Sequence, residues 1–266
     1  MSDVLAVLAV GLLTAAVVMT VAALVARAVG RVAVVDVAWG LGFVAIAVTT
    51  AVVAQGDAVR RWVVPVLVGT WGLRLAWHIR RRAVGSGEDP RYDALLGGPV
   101  REVGFAVAVR KVFLVQGAAM WFIALPVQVG AALSVRWWPV AVAGVVLWLV
   151  GLVFETVGDA QLAAYKQDPH RGPVMDRGLW RWTRHPNYFG DACVWWGLWL
   201  VGGLASGWLP GLLTVLAPVA MTYFLVFATG ARLLERTMMK RPGYPEYAAR
   251  TSMFLPRPPR KGRDEA

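Results

Sequence analysis

Runs of about 20 apolar residues recur along this chain, the length that bilayer hydrocarbon demands of a helix. Seven can be drawn, at about 4–26, 33–54, 62–80, 111–132, 137–157, 187–204 and 208–230. A backbone in hydrocarbon has no water to bond, so these stretches must be helical. Only 16% of residues are charged, against about a quarter in soluble domains. The reading is an all-α polytopic membrane protein of seven transmembrane helices. One domain covers 1–256, and a frayed basic tail covers 257–266. The first run lacks a basic leader and a small-residue cleavage site, so it reads as a retained helix rather than a removed signal.

The net charge of +11 would suggest nucleic acid in a soluble chain. Here it sits between spans. Of 27 Lys and Arg, 23 fall in four segments: Arg27 and Arg31, then 80–111, 166–184 and 232–263. By the positive-inside rule those segments are cytoplasmic, with the N-terminus outside and the C-terminus inside, and no nucleic-acid partner is needed. A single Cys193 permits no disulfide within the chain. His78, His170 and His185 are too scattered for a metal centre. No Walker loop or strand-linked Gly-x-Gly-x-x-Gly is present, which excludes a soluble nucleotide fold. No internal repeat supports a transporter.

Polar chemistry concentrates from Gly178 to Asp191, Gly-Leu-Trp-Arg-Trp-Thr-Arg-His-Pro-Asn-Tyr-Phe-Gly-Asp, between two apolar runs. Charged and amide groups beside hydrocarbon are costly unless paired or hydrated, so the stretch reads as a binding site. Pro186 tolerates a helix start, putting Arg184 and His185 on the approaching turn and Asn187, Tyr188 and Asp191 in the first turn. Asn187 and Asp191 share a face.

Asp36 opens the second span in Val-Val-Asp-Val-Ala-Trp-Gly, with Trp39 one turn on. It either complements the helix dipole or serves a site. Arg74 and His78 sit one turn apart near the cytoplasmic end of the third span. Arg74 snorkels there, or reaches Asp36 or an anionic ligand. The mixed-charge segment Glu88-Asp89-Pro90-Arg91-Tyr92-Asp93 defaults to a solvated loop, with Tyr92 a lid residue or proton donor. Glu155 and Asp159 share a helix face; so placed they repel and can hold a proton between them. Lys166 follows two turns later. Trp195 and Trp196 are lipid-facing or line a cavity. Arg232, Glu235 and Arg236 extend the last span, and Tyr244 and Tyr247 lie in an aromatic-basic tail.

The cytoplasmic inventory is Asp159, Lys166, Arg184, His185, Asn187, Tyr188, Asp191, Arg232, Glu235, Arg236, Tyr244 and Tyr247. Arginines match phosphates, Asn and Asp read amides and hydroxyls, and Tyr stacks on flat rings. That set suits a cytoplasmic dinucleotide, with the spans supplying a pocket for a hydrophobic substrate walled by Trp39, Arg74, Trp195 and Trp196.

Arg184-His185-Pro186-Asn187-Tyr188-Phe189-Gly190-Asp191 resembles the Arg-His-Pro-Asn-Tyr-Leu-Gly-Glu/Asp signature of the membrane-embedded steroid 5-alpha-reductase family, most closely its bacterial DUF1295 branch. Asp159 with Lys166, Gly178-Leu179, Tyr244, Tyr247 and Phe254-Leu255-Pro256 resemble its flanking motifs. The resemblance implies seven helices in a bacterial plasma membrane and NADPH held at the cytoplasmic side by Asp159, Lys166, Asn187, Tyr188, Asp191, Arg232 and Tyr247. Hydride would pass to a carbon–carbon double bond of a sterol-like or other lipid. The family's catalytic Glu of the second helix has Asp36 as its nearest stand-in, and the third span holds no Tyr to match its catalytic Tyr. Glu155 or Tyr92 is the candidate acid that steadies a developing oxyanion. The competing reading is an S-adenosylmethionine-dependent methyltransferase of the isoprenylcysteine carboxyl methyltransferase type, which has a similar Arg-His-Pro-X-Tyr motif. Such enzymes favour a paired-Glu helix after the signature, whereas here Glu235 stands beside Arg236.

Overall fold

The computed structural model describes residues 2–228 and 230–259; residues 260–266, most of the expected tail, lie outside the described residues. Every regular element among the described residues is helical. Among the described residues, five segments are long and apolar enough to cross a membrane: Asp3–Val29, Val34–Val53, Phe105–Ile123, Trp138–Gln167 and Trp208–Met238. The stretches read at 62–80 and 187–204 are helical too, as Ala58–Ala83 and Pro186–Gly202. The first of these carries six arginines and the second is 17 residues long.

The chain divides into two compact units. The first comprises Met1–Ala141 and Trp199–Ala217. Its helices are α1 (Ser2–Val29), α2 (Val34–Val53), α3 (Ala58–Ala83), α4 (Pro90–Leu96), α5 (Phe105–Ile123, with a π turn at Val109–Phe113) and α6 (Leu125–Ala132). Helix α2 lies against both α1 and α3. The α2–α3 crossing is backbone to backbone, since a Cβ at Gly40 would lie 2.6 Å from the Gly72 carbonyl oxygen. Lipid gives no hydrophobic push between helices, so small residues that permit close dispersion contact do this work. Arg60, in the first turn of α3, is 1% exposed and staples three segments. Its guanidinium donates to Ser206 Oγ at 2.8 Å and to the carbonyls of Leu133 (2.5 Å) and Val201 (3.3 Å).

The loop expected to be solvated is largely exposed, but it folds into α4, which turns two side chains inward. Tyr92 and Leu96 are buried. Its charges find partners: Glu88 accepts the N–H groups of Val32 and Ala33 ahead of α2, satisfying donors every helix start leaves orphaned. Asp89 caps α4 by accepting from the Arg91 N–H at 2.9 Å, with Pro90 in the first turn.

The second unit comprises Val142–Leu198 and Pro218–Ala266. Helix α7 (Trp138–Gln167) runs ten residues past the predicted end at 157 and carries Lys166 on the same rod as Asp159. It meets α8 (Pro186–Gly202) along a glycine seam. Gly144, Gly151 and Gly158 recur every seventh residue on one helix and Gly190 and Gly197 on the other. Sevenfold spacing holds residues on one line between crossing helices. A Cβ at Gly190 would lie 2.5 Å from the Gly151 carbonyl oxygen, and one at Gly197 would lie 2.6 Å from that of Gly144, so the helices run antiparallel. Helices α9 (Trp208–Thr214), in the first unit, and α10 (Leu216–Tyr223) are followed by α11 (Ala231–Met238) and α12 (Tyr244–Arg250).

Candidate functional site

In the second unit the seam sets up the polar cluster. Gly190 lets the first turn of α8 press onto α7 beside Glu155, whose nitrogen would lie 2.6 Å from an added Cβ. Glu155 (4% exposed), Asp159 (8%) and Asp191 (8%) are all buried. The Asn187 amide donates to Asp159 Oδ1 at 3.2 Å, and its own carbonyl oxygen accepts from the Tyr188 N–H at 3.1 Å. Tyr188 stacks parallel on His185, centroids 5.5 Å apart.

Arg184 is the anchor of this turn. Its Nε donates to Glu235 Oε1 at 2.6 Å and its Nη2 to Oε2 at 2.8 Å, a two-pronged pair only a guanidinium can make. Its Nη1 donates to the carbonyls of Ala248 (2.8 Å) and Thr251 (2.6 Å). Burial would lower the Arg184 pKa, but bonding to Glu235 outweighs it and holds it above the ordinary value. His185 Nε2 meets Glu235 Oε1 at 3.1 Å. The Tyr247 hydroxyl donates to the Trp180 carbonyl, and the Trp180 indole N–H donates to Gly158 O at 3.0 Å. Burial, then the Glu235 charge, pushes the Tyr244 phenol up to about 12.

Residues 252–257 close around the same turn. The Arg184 N–H donates to Ser252 O at 2.9 Å, and the Arg257 N–H to Trp182 O at 3.0 Å. Thr183 Oγ1 donates to Phe254 O at 2.9 Å. So Arg184, His185, Glu235 and Tyr247, taken from sequence as ligand-facing, have their polar groups engaged within the protein. Lys166, Arg232 and Arg236 are exposed, with Arg232 lying over the Phe227 ring at 4.4 Å. Trp195 is fully enclosed, which removes the lipid-facing option for it; half-buried Trp196 donates its indole N–H to Thr222 Oγ1 at 3.1 Å.

The first unit holds a second cluster. The Tyr92 hydroxyl donates to Asp36 Oδ1. Arg91 Nη2 donates to Asp36 Oδ2 at 3.3 Å, and Gln116 Nε2 to the Tyr92 oxygen at 3.4 Å. Burial, then the Asp36 carboxylate, holds the phenol well above its ordinary range, so Tyr92 keeps its proton at any physiological pH. Trp39 is half-buried, edge-on to Phe43 at 5.0 Å, and Arg74 is half-buried on α3. Sequence reading named Asp36 and Tyr92 separately but did not join them, and it missed Arg91, Gln116 and Glu88. The Asp-Pro-Arg-Tyr run, a cap followed by a first-turn proline, was the available signal for a short helix here.

A family model described as "Protein of unknown function (DUF1295)" matches residues 22–251. The chain belongs to this family. The DUF1295 match spans both clusters, from before Asp36 to the last turn that supplies carbonyls to Arg184, and agrees with the resemblance read from the signature. Neither the curated proteins nor the solved structures return a match.

Proposed function

We propose that this protein is a membrane-embedded reductase that uses NADPH to saturate a polarised carbon–carbon double bond in a sterol-like or other hydrophobic lipid from the bilayer. In this reading it has seven spans in a bacterial plasma membrane, with the N-terminus outside and the nucleotide site facing the cytoplasm. The charge asymmetry supports that orientation. The observation that carries the function is the Tyr92–Asp36 pair. It joins a carboxylate at the start of the second helix to a phenol, the two groups such a reductase needs at a substrate carbonyl. The Tyr arrives from α4 rather than from the third span.

The residues present fit the nucleotide. Asp159, Asn187, Tyr188 and Asp191 offer donors and acceptors suited to amides, hydroxyls and a flat ring. Exposed Lys166 and Arg232 suit phosphates. When bound, NADPH supplies the hydride. Arg184, His185, Glu235 and Tyr247 hold the turn that presents these groups. Tyr92, locked in its protonated form, turns its O–H onto the oxyanion that develops as the double bond is reduced. Glu155, buried in the second unit, is the other candidate proton donor. The Glu that a methyltransferase would present after the signature is spent on Arg184 and His185, which favours the reductase.

The test is a side-by-side titration of the purified full chain with NADPH and S-adenosylmethionine. NADPH should bind, and Asn187→Ala should weaken it at least tenfold. Binding of S-adenosylmethionine alone replaces the proposal with the methyltransferase; binding of neither points to a non-catalytic scaffold or carrier.

A further inference from the structure

We propose that the outward face of α11, with the turn that follows it to Arg241, docks on anionic lipid headgroups. This inference does not depend on the reductase reading. The helix is sharply two-sided. Its inner side carries Ala231, fully buried, and Glu235, bound by Arg184 and His185. Its other faces and the turn that follows present Arg236, then Lys240 and Arg241, all exposed, among Leu233 (41% exposed), Leu234 (41%) and Met239 (46%). Water disfavours the uncovered leucines and hydrocarbon disfavours the cations. The boundary between them suits both, with apolar chains dipping and cations at headgroup level.

Two features single out the occupant. The helix forms the last stretch of an apolar segment, Trp208–Met238, whose 31 residues outrun the roughly 20 that bilayer hydrocarbon needs, so its end lies where headgroups lie. And no acidic residue occurs from Arg236 through Pro245, so the exposed charge is of one sign. A zwitterionic headgroup satisfies the leucines but brings no net charge to balance three cations, whereas an anionic phospholipid does both. A soluble acidic peptide would leave Leu233 and Leu234 without an apolar partner.

The experiment uses the full chain in nanodiscs of phosphatidylcholine alone or mixed with phosphatidylglycerol. Amide hydrogen exchange is followed across residues 231–241. The proposal expects slower exchange in the anionic discs. That difference should vanish at high salt, since the attraction acts over about a Debye length. It should also vanish in Lys240→Gln/Arg241→Gln, which alters only exposed side chains. Equal exchange in the two discs overturns the proposal. So does a phosphatidylglycerol-dependent slowing that survives either salt or the double substitution. The salt series on the unaltered chain decides the matter even if the variant does not fold.

Discussion

Replacing Gly190 by alanine tests whether the seam between α7 and α8 carries the site. In an ordinary helix this change is favourable, because glycine is worse than alanine by about 0.5–1 kcal/mol. Here the new methyl would sit 2.5 Å from the Gly151 carbonyl oxygen, 2.6 Å from the Glu155 nitrogen and 3.0 Å from Glu155 Cβ. Ordinary contact needs about 3.5 Å or more. Two of the three obstacles are helix backbone, which cannot rotate aside, so the helices must part. Overpacking of this kind costs about 1–3 kcal/mol. With backbone in the way the cost falls in the upper part of that range, about 2–3 kcal/mol, and a propensity gain of about 1 kcal/mol leaves a net loss of about 1–2 kcal/mol. At about 2–4 °C per kcal/mol for a chain of this size, the midpoint should drop by roughly 2–8 °C. Parting the helices also draws Asn187 from Asp159, now 3.2 Å away, so ligand binding should weaken with stability. The control is Gly69→Ala on α3, where an added methyl meets nothing within 4 Å. Thermal unfolding of both variants in one detergent gives the comparison. Equal midpoints, or a more stable Gly190→Ala, would refute the claim that backbone contact sets this crossing.

Arg184→Lys keeps the charge but loses the two-pronged grip on Glu235 and a carbonyl bond; it should destabilise by about 2–4 kcal/mol, read in the same unfolding assay. Tyr92→Phe should slow turnover by about 10²–10⁴-fold while nucleotide affinity is kept, whereas full turnover in Glu155→Gln would strip Glu155 of its role as acid. Tyr244, raised from 10.0 to about 12, makes the fold sensitive to alkali. Below pH 10 the phenol is protonated in both states; above it the unfolded chain ionises first. Stability should therefore fall from pH 10 towards 12, and Tyr244→Phe should flatten that decline in a pH series of unfolding midpoints.

The helical stretches were legible because hydrocarbon enforces both composition and length. The turn at Pro186 was legible because proline marks helix starts. The seam was written in the sequence as glycines every seventh residue, yet it stays invisible until two helices are known to be neighbours. The roles of Arg184 and Tyr92 were harder. Arginine beside a helix start reads as a ligand group, and only the fold brings Glu235, 51 residues away, onto it. Likewise Asp36 and Tyr92 are 56 residues apart, and no periodicity links a span to a loop. The extension of α7 past 157 was missed because polarity ends a membrane run without ending a helix.

The contacts that fix Arg184 are made late in synthesis. Its carbonyl partners at Ala248 and Thr251 are translated 64 and 67 residues after it. While the nascent chain is being threaded into the bilayer, the guanidinium has no permanent home, and the signature turn is held only by its own helix and by α7, through Asn187 on Asp159 and Trp180 on Gly158. A ribosome that stalls or a reading frame that stops before Thr251 would thus yield a protein whose spans are inserted but whose Arg184 lacks its full set of partners. Quality control of this protein would have to recognise an unanchored signature turn rather than a misplaced helix.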